Sequence, residues 1–301
     1  MTDRDLAADS GGGIATGKEY LSLATRLLRR MRLARPIGGI WEAADFQWWW
    51  RRPRSTDAGG QLFWLDDSGE PVAAVVLTEF GPNVQCDVLV LPDGPVDEQV
   101  IWQSAIRRAA DVAAEFPVRL DDAPGNSMLA AFGYRPTDGP GVVASWLDAA
   151  RRPPIRPLPA GYTLLSRADF RDCAHPLAIR NGADVEARLQ ACSLYRPELD
   201  LMVRAPDGGV AGYGLFWADE VTGVGLVEPM RTEQAHERRG IASHVLAAGL
   251  DRLAARGCRR LKVSNDIALY LRAGFEPLRS AQAQVYARVP AEKLINALTV
   301  T

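Results

Sequence analysis

Residues 227–242, Val-Glu-Pro-Met-Arg-Thr-Glu-Gln-Ala-His-Glu-Arg-Arg-Gly-Ile-Ala, place three glutamates, three arginines and a glycine within one strand-to-helix connection. The start of a helix leaves its first backbone N–H groups without intrahelical partners and carries a partial positive charge, which suits a phosphate. A glycine there lets the backbone come close to the ligand. Arg238 and Arg239 add side-chain charge beside Gly240, and Ile241, Ala242 and Ser243 open the helix. The pattern predicts an anion cradle. A lone glycine before a helix often serves only structure, so the elements around it have to carry the rest of the argument.

From Gly240, the apolar residues Ile241, Ala242, Val245, Leu246, Leu250, Leu253 and Ala254 keep helical spacing until Gly257 stops the helix. A strand-like run, Arg260-Leu261-Lys262-Val263-Ser264, leads to Asn265 and a second helix holding Ala268, Leu269, Tyr270 and Leu271, which ends at Ala273-Gly274-Phe275. The predicted order is strand, anion loop, helix, strand, Asn, Tyr-bearing helix, Gly-Phe and a further strand.

With these motifs in place, residues from about 155 to 290 resemble a GNAT-superfamily acyltransferase domain. The signature R/Q-x-x-G-x-G/A falls on Glu237-Arg238-Arg239-Gly240-Ile241-Ala242, and Asn265, Tyr270 and Gly274-Phe275 match a second motif. The resemblance implies acetyl-CoA as cosubstrate and transfer to a primary amine of a small molecule or peptide by direct attack in a ternary complex. It implies that Arg238 to Ser243, with the backbone N–H of Glu237, hold the pyrophosphate. It also implies that backbone groups of the strand around Val227, Met230 and Thr232 run beside the pantetheine arm, and that Asn265 orients that arm. Tyr270 becomes the general acid, because a phenol is protonated at neutral pH and can give its proton to the departing thiolate. The other reading of Tyr270 is a residue packed between helix and sheet.

An alkyl amine is mostly protonated at pH 7, so a base must take a proton before attack. Glu228 is the first candidate and Glu220 the second; a glutamate hydrogen-bonded inside the fold is the alternative role for Glu228. Regular alternation would put Glu228 and Met230 on one face of the strand and Val227 on the other. Two departures from the family pattern stand out: Glu237 occupies the place usually held by Arg or Gln, and the Asn265-to-Tyr270 spacing is short. A carboxylate repels a pyrophosphate, so Glu237 is expected to point away. These departures motivate a second hypothesis, a catalytically weak acyl-CoA-binding sensor or interaction module.

The first half echoes the second at an offset of about 140 residues. Phe132-Gly133-Tyr134-Arg135-Pro136 answers Ala273-Gly274-Phe275-Glu276-Pro277, and a strand at Val88 to Leu91, a helix through Ile101 to Val112, Val118-Arg119-Leu120 and a helix at Met128 to Ala131 keep the same order. In place of the basic loop stands Leu91-Pro92-Asp93-Gly94-Pro95-Val96-Asp97-Glu98, whose prolines remove donors and whose carboxylates repel phosphate. The predicted fold is α/β, a mixed, mostly antiparallel sheet flanked by helices in each of two tandem GNAT-like domains. The domains are read as a flexible tail over 1–16, a degenerate copy over 17–150, a proline-rich linker over 151–160 and a catalytic copy over 161–301. In the catalytic copy, helices at 169–179 and 183–194, with Arg180-Asn181-Gly182 as a turn, are expected on the acceptor side.

Composition narrows the partners. The chain has 301 residues, 47% hydrophobic, with formal net charge −2, which supplies cores for two domains and no global basic field for nucleic acid. No run of transmembrane length or signal-peptide pattern is present, so no membrane partner is expected and a cytoplasmic location is read; a homodimer stays open. Cys86, Cys173, Cys192 and Cys258 are scattered, with only His175, His236 and His244 to join them, so no metal site is expected. Tyr20, Leu23, Leu27, Leu28 and Met31 mark one face of a core-facing helix. The segment Trp48-Trp49-Trp50-Arg51-Arg52-Pro53-Arg54 reads as a helix packing large side chains on a sheet with its arginines solvated; stacking on nucleobases or a planar substrate is the alternative.

Overall fold

The computed structural model of the chain describes residues 11–170 and 174–288. In chain order its elements are β1 (Gly13–Ala15), α1 (Gly17–Ala34), α2 (Ala43–Trp49), β2 (Gln61–Leu65), β3 (Pro71–Phe80), β4 (Asn83–Val90), α3 (Glu98–Val112), β5 (Phe116–Arg119), α4 (Ala123–Ala131) and β6 (Tyr134–Pro136). There follow β7 (Val142–Asp148), β8 (Thr163–Ser166), α5 (Ala178–Asn181), α6 (Val185–Gln190), β9 (Asp200–Arg204), β10 (Val210–Asp219), β11 (Val224–Thr232), α7 (Ile241–Ala255), β12 (Arg260–Val263), α8 (Ala268–Arg272) and β13 (Glu276–Arg288).

These elements form two compact units that interleave along the chain. Within the described residues, one comprises 11–40, 54–142 and 279–288, and the other 41–53 and 143–278. None of the boundaries between these residue ranges falls in the proline-rich stretch. Arg152 is tied to Asp251 of α7 at 2.7 Å and Leu158 packs on the second unit's core, so that stretch lies along the second unit. Within the stretch expected as a tail over 1–16, Gly13–Ala15 pairs with Gln61–Phe63, and residues 1–10 lie outside the described residues.

The first unit holds the antiparallel sheet β1-β2-β3-β4, with β5 and β6 each paired to β13. Its core gathers Leu62, Trp64, Val75, Ile101, Ala105 and Phe116, the last three from the expected α3 and β5. α1 turns Leu23, Leu27 and Leu28 inward, as its apolar stripe requires.

The second unit is the sheet β8-β9-β10-β11-β12-β7, antiparallel except for the parallel pair β11 and β12. α7 covers one face. Gly249 lies under the Phe216 ring, where an added Cβ would overlap the ring carbons, so a glycine is what lets helix and sheet close. Phe216, Val227, Leu250, Leu253 and Leu261 fill this core.

The acceptor-side helices are shorter than expected. Residues 167–169 form a turn, and α5 and α6 cover only Ala178–Asn181 and Val185–Gln190, with Gly182 (φ 94°) ending α5. Cys86, Cys192 and Cys258 are buried free thiols, and Cys173 lies outside the described residues.

Candidate active site

β11 and β12 run parallel and pair only from Val224↔Arg260 to Leu226↔Lys262. Beyond Leu226, β11 continues through Val227–Thr232 while the partner strand ends at Val263, so the two part. At the parting point β11 is bulged. Gly214 faces Met230 and Phe216 faces Val227, which leaves Glu228 and Pro229 opposite the single residue Leu215. A proline in a central strand cannot donate to the ladder, and a bulge is where such a residue is tolerated.

The bulge corrects the expected alternation. Gly214 and Phe216 share a face, so Val227 and Met230 share one too, and Glu228 points to the other side. A Cβ on Gly214 would meet Met230 Sδ and Val245, which puts Met230 on the α7 side. Val227 is buried there, and any role it has toward a ligand belongs to its backbone.

The helix start lies on the same connection. Gly240 caps α7 at φ 82°, in the left-handed region, and Arg238 sits at φ 58°. Among the described residues, the N–H groups of Arg238, Arg239 and Gly240 have no protein acceptor. Those at the start of α7 lack intrahelical partners by position. Glu237, Arg238 and Arg239 are exposed, and Glu237 forms no ion pair among the described residues. Arg239 Nη1 donates to the Tyr162 hydroxyl at 3.1 Å, which stands 3.0 Å from His236 Nδ1. His236 thus belongs to a small Tyr-Arg-His group flanking the cradle, and Tyr162 gave no sequence signal.

Glu228 is half-buried beneath α2. Burial raises its carboxyl to about 7, the charge of Asp45 adding to the rise and Arg51, a hydrogen bond from Trp48 and Lys262 opposing it. Tyr270 is buried on α8 and its ring meets Phe275 edge-on at 5.9 Å. Its hydroxyl is pushed well above the usual phenol range, first by burial and then by the negative charge of Glu228, so the two groups lie within electrostatic reach. Glu220 stands apart, in the hairpin turn before β11, bound to Arg256 at 2.9 Å.

Asn265 Oδ1 accepts the N–H groups of Asp266 and Ile267 at 2.8 and 3.0 Å, building the turn into α8. Just before it, Ser264 Oγ is buried with no protein partner, as is Thr232 Oγ1 at the end of β11. An orphaned buried hydroxyl is costly unless something satisfies it, and these two sit at the ends of the parted strands. Unpaired amides on the open helix start, parted strands and orphaned hydroxyls together fit an extended, amide-containing ligand ending in phosphates.

The side of the site opposite α7 comes from the tryptophan segment. Trp48, Trp49 and Trp50 are buried, Phe46 and Trp41 pack on Trp49 at 4.7 and 4.9 Å, and α2 lies over β10 and β11. Core packing is thus its role, but its arginines are not simply solvated. Arg51 stacks on Trp48 at 3.6 Å and donates to Asn181 Oδ1 at 2.7 Å, while Arg188 stacks on Trp50 at 4.1 Å. Asp45 and Glu42 hold the fully buried Lys262 at 3.1 and 3.5 Å. The sequence reading missed Lys262, which sits in an ordinary-looking strand.

In the first unit the corresponding helix start is closed. Asp97 caps α3, its Oδ1 accepting the N–H of Gln99 at 2.9 Å. Among the described residues no group of His, Cys, Asp and Glu could hold a metal ion, and no helix is long and apolar enough to cross a membrane.

Residues 165–275 match the model of the acetyltransferase (GNAT) family. Mycothiol acetyltransferase of Clavibacter michiganensis subsp. michiganensis is 31% identical over 238 residues, covering 68% of this chain and 77% of that protein. Among solved structures, a tandem GNAT protein from the clavulanic acid biosynthesis pathway aligns with a TM-score of 0.63 at 19% identity, over 93% of this chain and 98% of that one. A GCN5-related N-acetyltransferase from Sphaerobacter thermophilus aligns with a TM-score of 0.53 at 16% identity, over 92% and 94%. At such identities the two structures establish the fold alone.

Proposed function

Because the chain belongs to the GNAT family of acetyltransferases, we propose that it carries the acetyl group of acetyl-CoA directly to a primary amine of a small molecule, at one site in its second unit. The observation that carries this reading is the open start of α7 with its unpaired amides beside the point where β11 and β12 part, Glu228 and Tyr270 lying within electrostatic reach of each other.

In this reading the amides of Arg238 to Ser243 and the Arg238 guanidinium hold the pyrophosphate, and the pantetheine arm lies along Val227 to Thr232 with Asn265 and Ser264 beside it. Glu228 takes a proton from the ammonium, directly or through water, and frees the nitrogen lone pair. The nitrogen attacks the thioester carbonyl, and main-chain N–H groups of β11 near the bulge face the developing oxyanion. The C–S bond breaks and Tyr270 gives its proton to the thiolate. A carboxyl at about 7 is a base matched to neutral solution, whereas burial makes the Tyr270 phenol a weaker acid, so its donation to the thiolate rests on placement rather than on driving force.

The relative named mycothiol acetyltransferase makes a mycothiol-type amine the first acceptor to assay. The test is CoA release from acetyl-CoA across an amine panel that includes it. Turnover with at least one amine is expected, with Tyr270→Phe lowering kcat by roughly 10²- to 10⁴-fold at unchanged acetyl-CoA affinity. Tight binding of acetyl-CoA without turnover on any amine would instead favour the sensor.

A further inference from the structure

β11 climbs out of the core along the face that carries Glu228. Met230 lies on the α7 side, so the next residue, Arg231, turns to the opposite face, the one that Glu228 shares. Toward the start of the strand this face is closed by Leu226 and its cross-strand partner Trp217, both buried. Glu228 is half-buried and Arg231 exposed, so the face opens to water in the direction of Arg231. An amine that enters to meet Glu228 therefore leaves the rest of its molecule beside Arg231.

What stands there is positively charged. Arg231 Nε donates to Glu233 Oε1 and Arg180 Nη2 to Glu233 Oε2, each at 3.2 Å. Two guanidiniums thus share one carboxylate, which leaves one positive charge over. Among the described residues, both Nη groups of Arg231 have no protein acceptor. Arg180 and Arg231 keep 37% and 46% of their side-chain surface exposed, so a ligand can reach them. Arg180 is nonetheless carried on a fastened segment. His175 Nε2 lies 2.7 Å from the buried Asp200 Oδ2, His175 Nδ1 accepts the Leu177 N–H at 3.1 Å, and Asn181 Oδ1 accepts from Arg51 Nε at 2.7 Å. Placing the guanidiniums beforehand lowers the entropy cost of using them for binding.

We propose that Arg180 and Arg231 form a specificity site for an anionic oxygen group on the acceptor, so that the substrate class is an amine carrying a carboxylate or a phosphate. The proposal rests on the acetyl-transfer reading above and narrows its acceptor. A guanidinium presents its N–H groups as a planar fork that matches a carboxylate or phosphate with two parallel hydrogen bonds. Glu233 has two opposed effects: its oxygens hold the arginines together, and its charge competes with the incoming anion.

The experiment measures kcat/KM of the full chain for serine against serinamide and for O-phosphoethanolamine against ethanolamine, with acetyl-CoA affinity followed by calorimetry. The anionic-to-neutral ratio is compared between wild type and variants, which cancels the intrinsic difference in amine basicity. Arg180→Gln and Arg231→Gln are each expected to lower that ratio by roughly 10- to 100-fold, through KM of the anionic member, at unchanged acetyl-CoA affinity. Glu233→Gln keeps an acceptor oxygen but removes the charge, and should raise the ratio. A purely structural ion-pair network would instead move all three variants the same way, for anionic and neutral amines alike. Ratios that stay at the wild-type value in all three variants, or wild-type turnover confined to the neutral amines, would overturn the anion site and leave acetyl transfer standing. Acetyl-CoA binding without turnover on any amine would refute the acetyl-transfer reading, and the acceptor class falls with it. Which pair responds more strongly to the arginine variants tells carboxylate from phosphate.

Discussion

At the scale of single residues, the same burial that makes Glu228 useful makes it costly. Its carboxyl stands near 7 in the folded chain against an ordinary 4.5. The unfolded chain therefore releases this proton at lower pH than the folded one, so stability from this group is present below about 4.5 and is lost as pH rises through about 7. Held ionised above pH 7, the buried charge costs up to about 3 kcal/mol. Glu228→Gln should thus cut kcat by roughly 10²- to 10⁴-fold while raising Tm by a few degrees at pH 8 and changing it little at pH 4, as thermal scans at the two pH values will read. A fall in Tm at pH 8 would mean that the carboxylate stabilises the fold, and the base reading would lose its physical ground. The wild-type kcat/KM should rise with pH through about 7 for the same reason.

At the scale of elements, the two helix starts differ in what occupies them. α7 presents Gly240 and unpaired amides, whereas α3 begins with Asp97, whose own carboxylate already takes the place an anion would fill. Calorimetry with acetyl-CoA is therefore expected to give one site per chain, and Asp97→Gly should not create a second, because Pro92 and Pro95 still lack donors there. Two equal sites would refute the closed-cap argument. These starts were legible in the sequence because caps, glycines and prolines act locally, as were the helices and strands of both copies, where apolar spacing is regular. The face that each side chain of β11 presents was not legible under plain alternation. Pro229 was the available signal for a bulge, and one extra residue reverses every assignment beyond it. The length of α5 and α6 was misjudged because short helices in a loop-rich stretch lack the repeated apolar turns that define a boundary.

At the scale of the whole molecule, sequence proximity does not define the functional unit. β7, ahead of the proline-rich stretch, pairs along β12 from Arg260↔Asp148 to Val263↔Ser145, and α2 supplies Asp45 and Glu42 to Lys262. Neither partner could be read from the residues themselves. Lys262 in a strand looks like any solvent-facing lysine, and only the fold reveals a face covered by an acidic helix. A fragment limited to residues 151–301 contains the cradle, Glu228 and Tyr270, and spans the expected linker and catalytic copy. It lacks both α2 and β7. Without α2 the apolar face that Phe46, Trp48 and Trp49 cover would open to water, and β12 would present an unpaired edge over an apolar core. The fragment should therefore be expressed insoluble or unfolded, as soluble yield and urea midpoints will measure. A stable, cooperative fragment 151–301 would mean that α2 and β7 decorate a unit already complete without them.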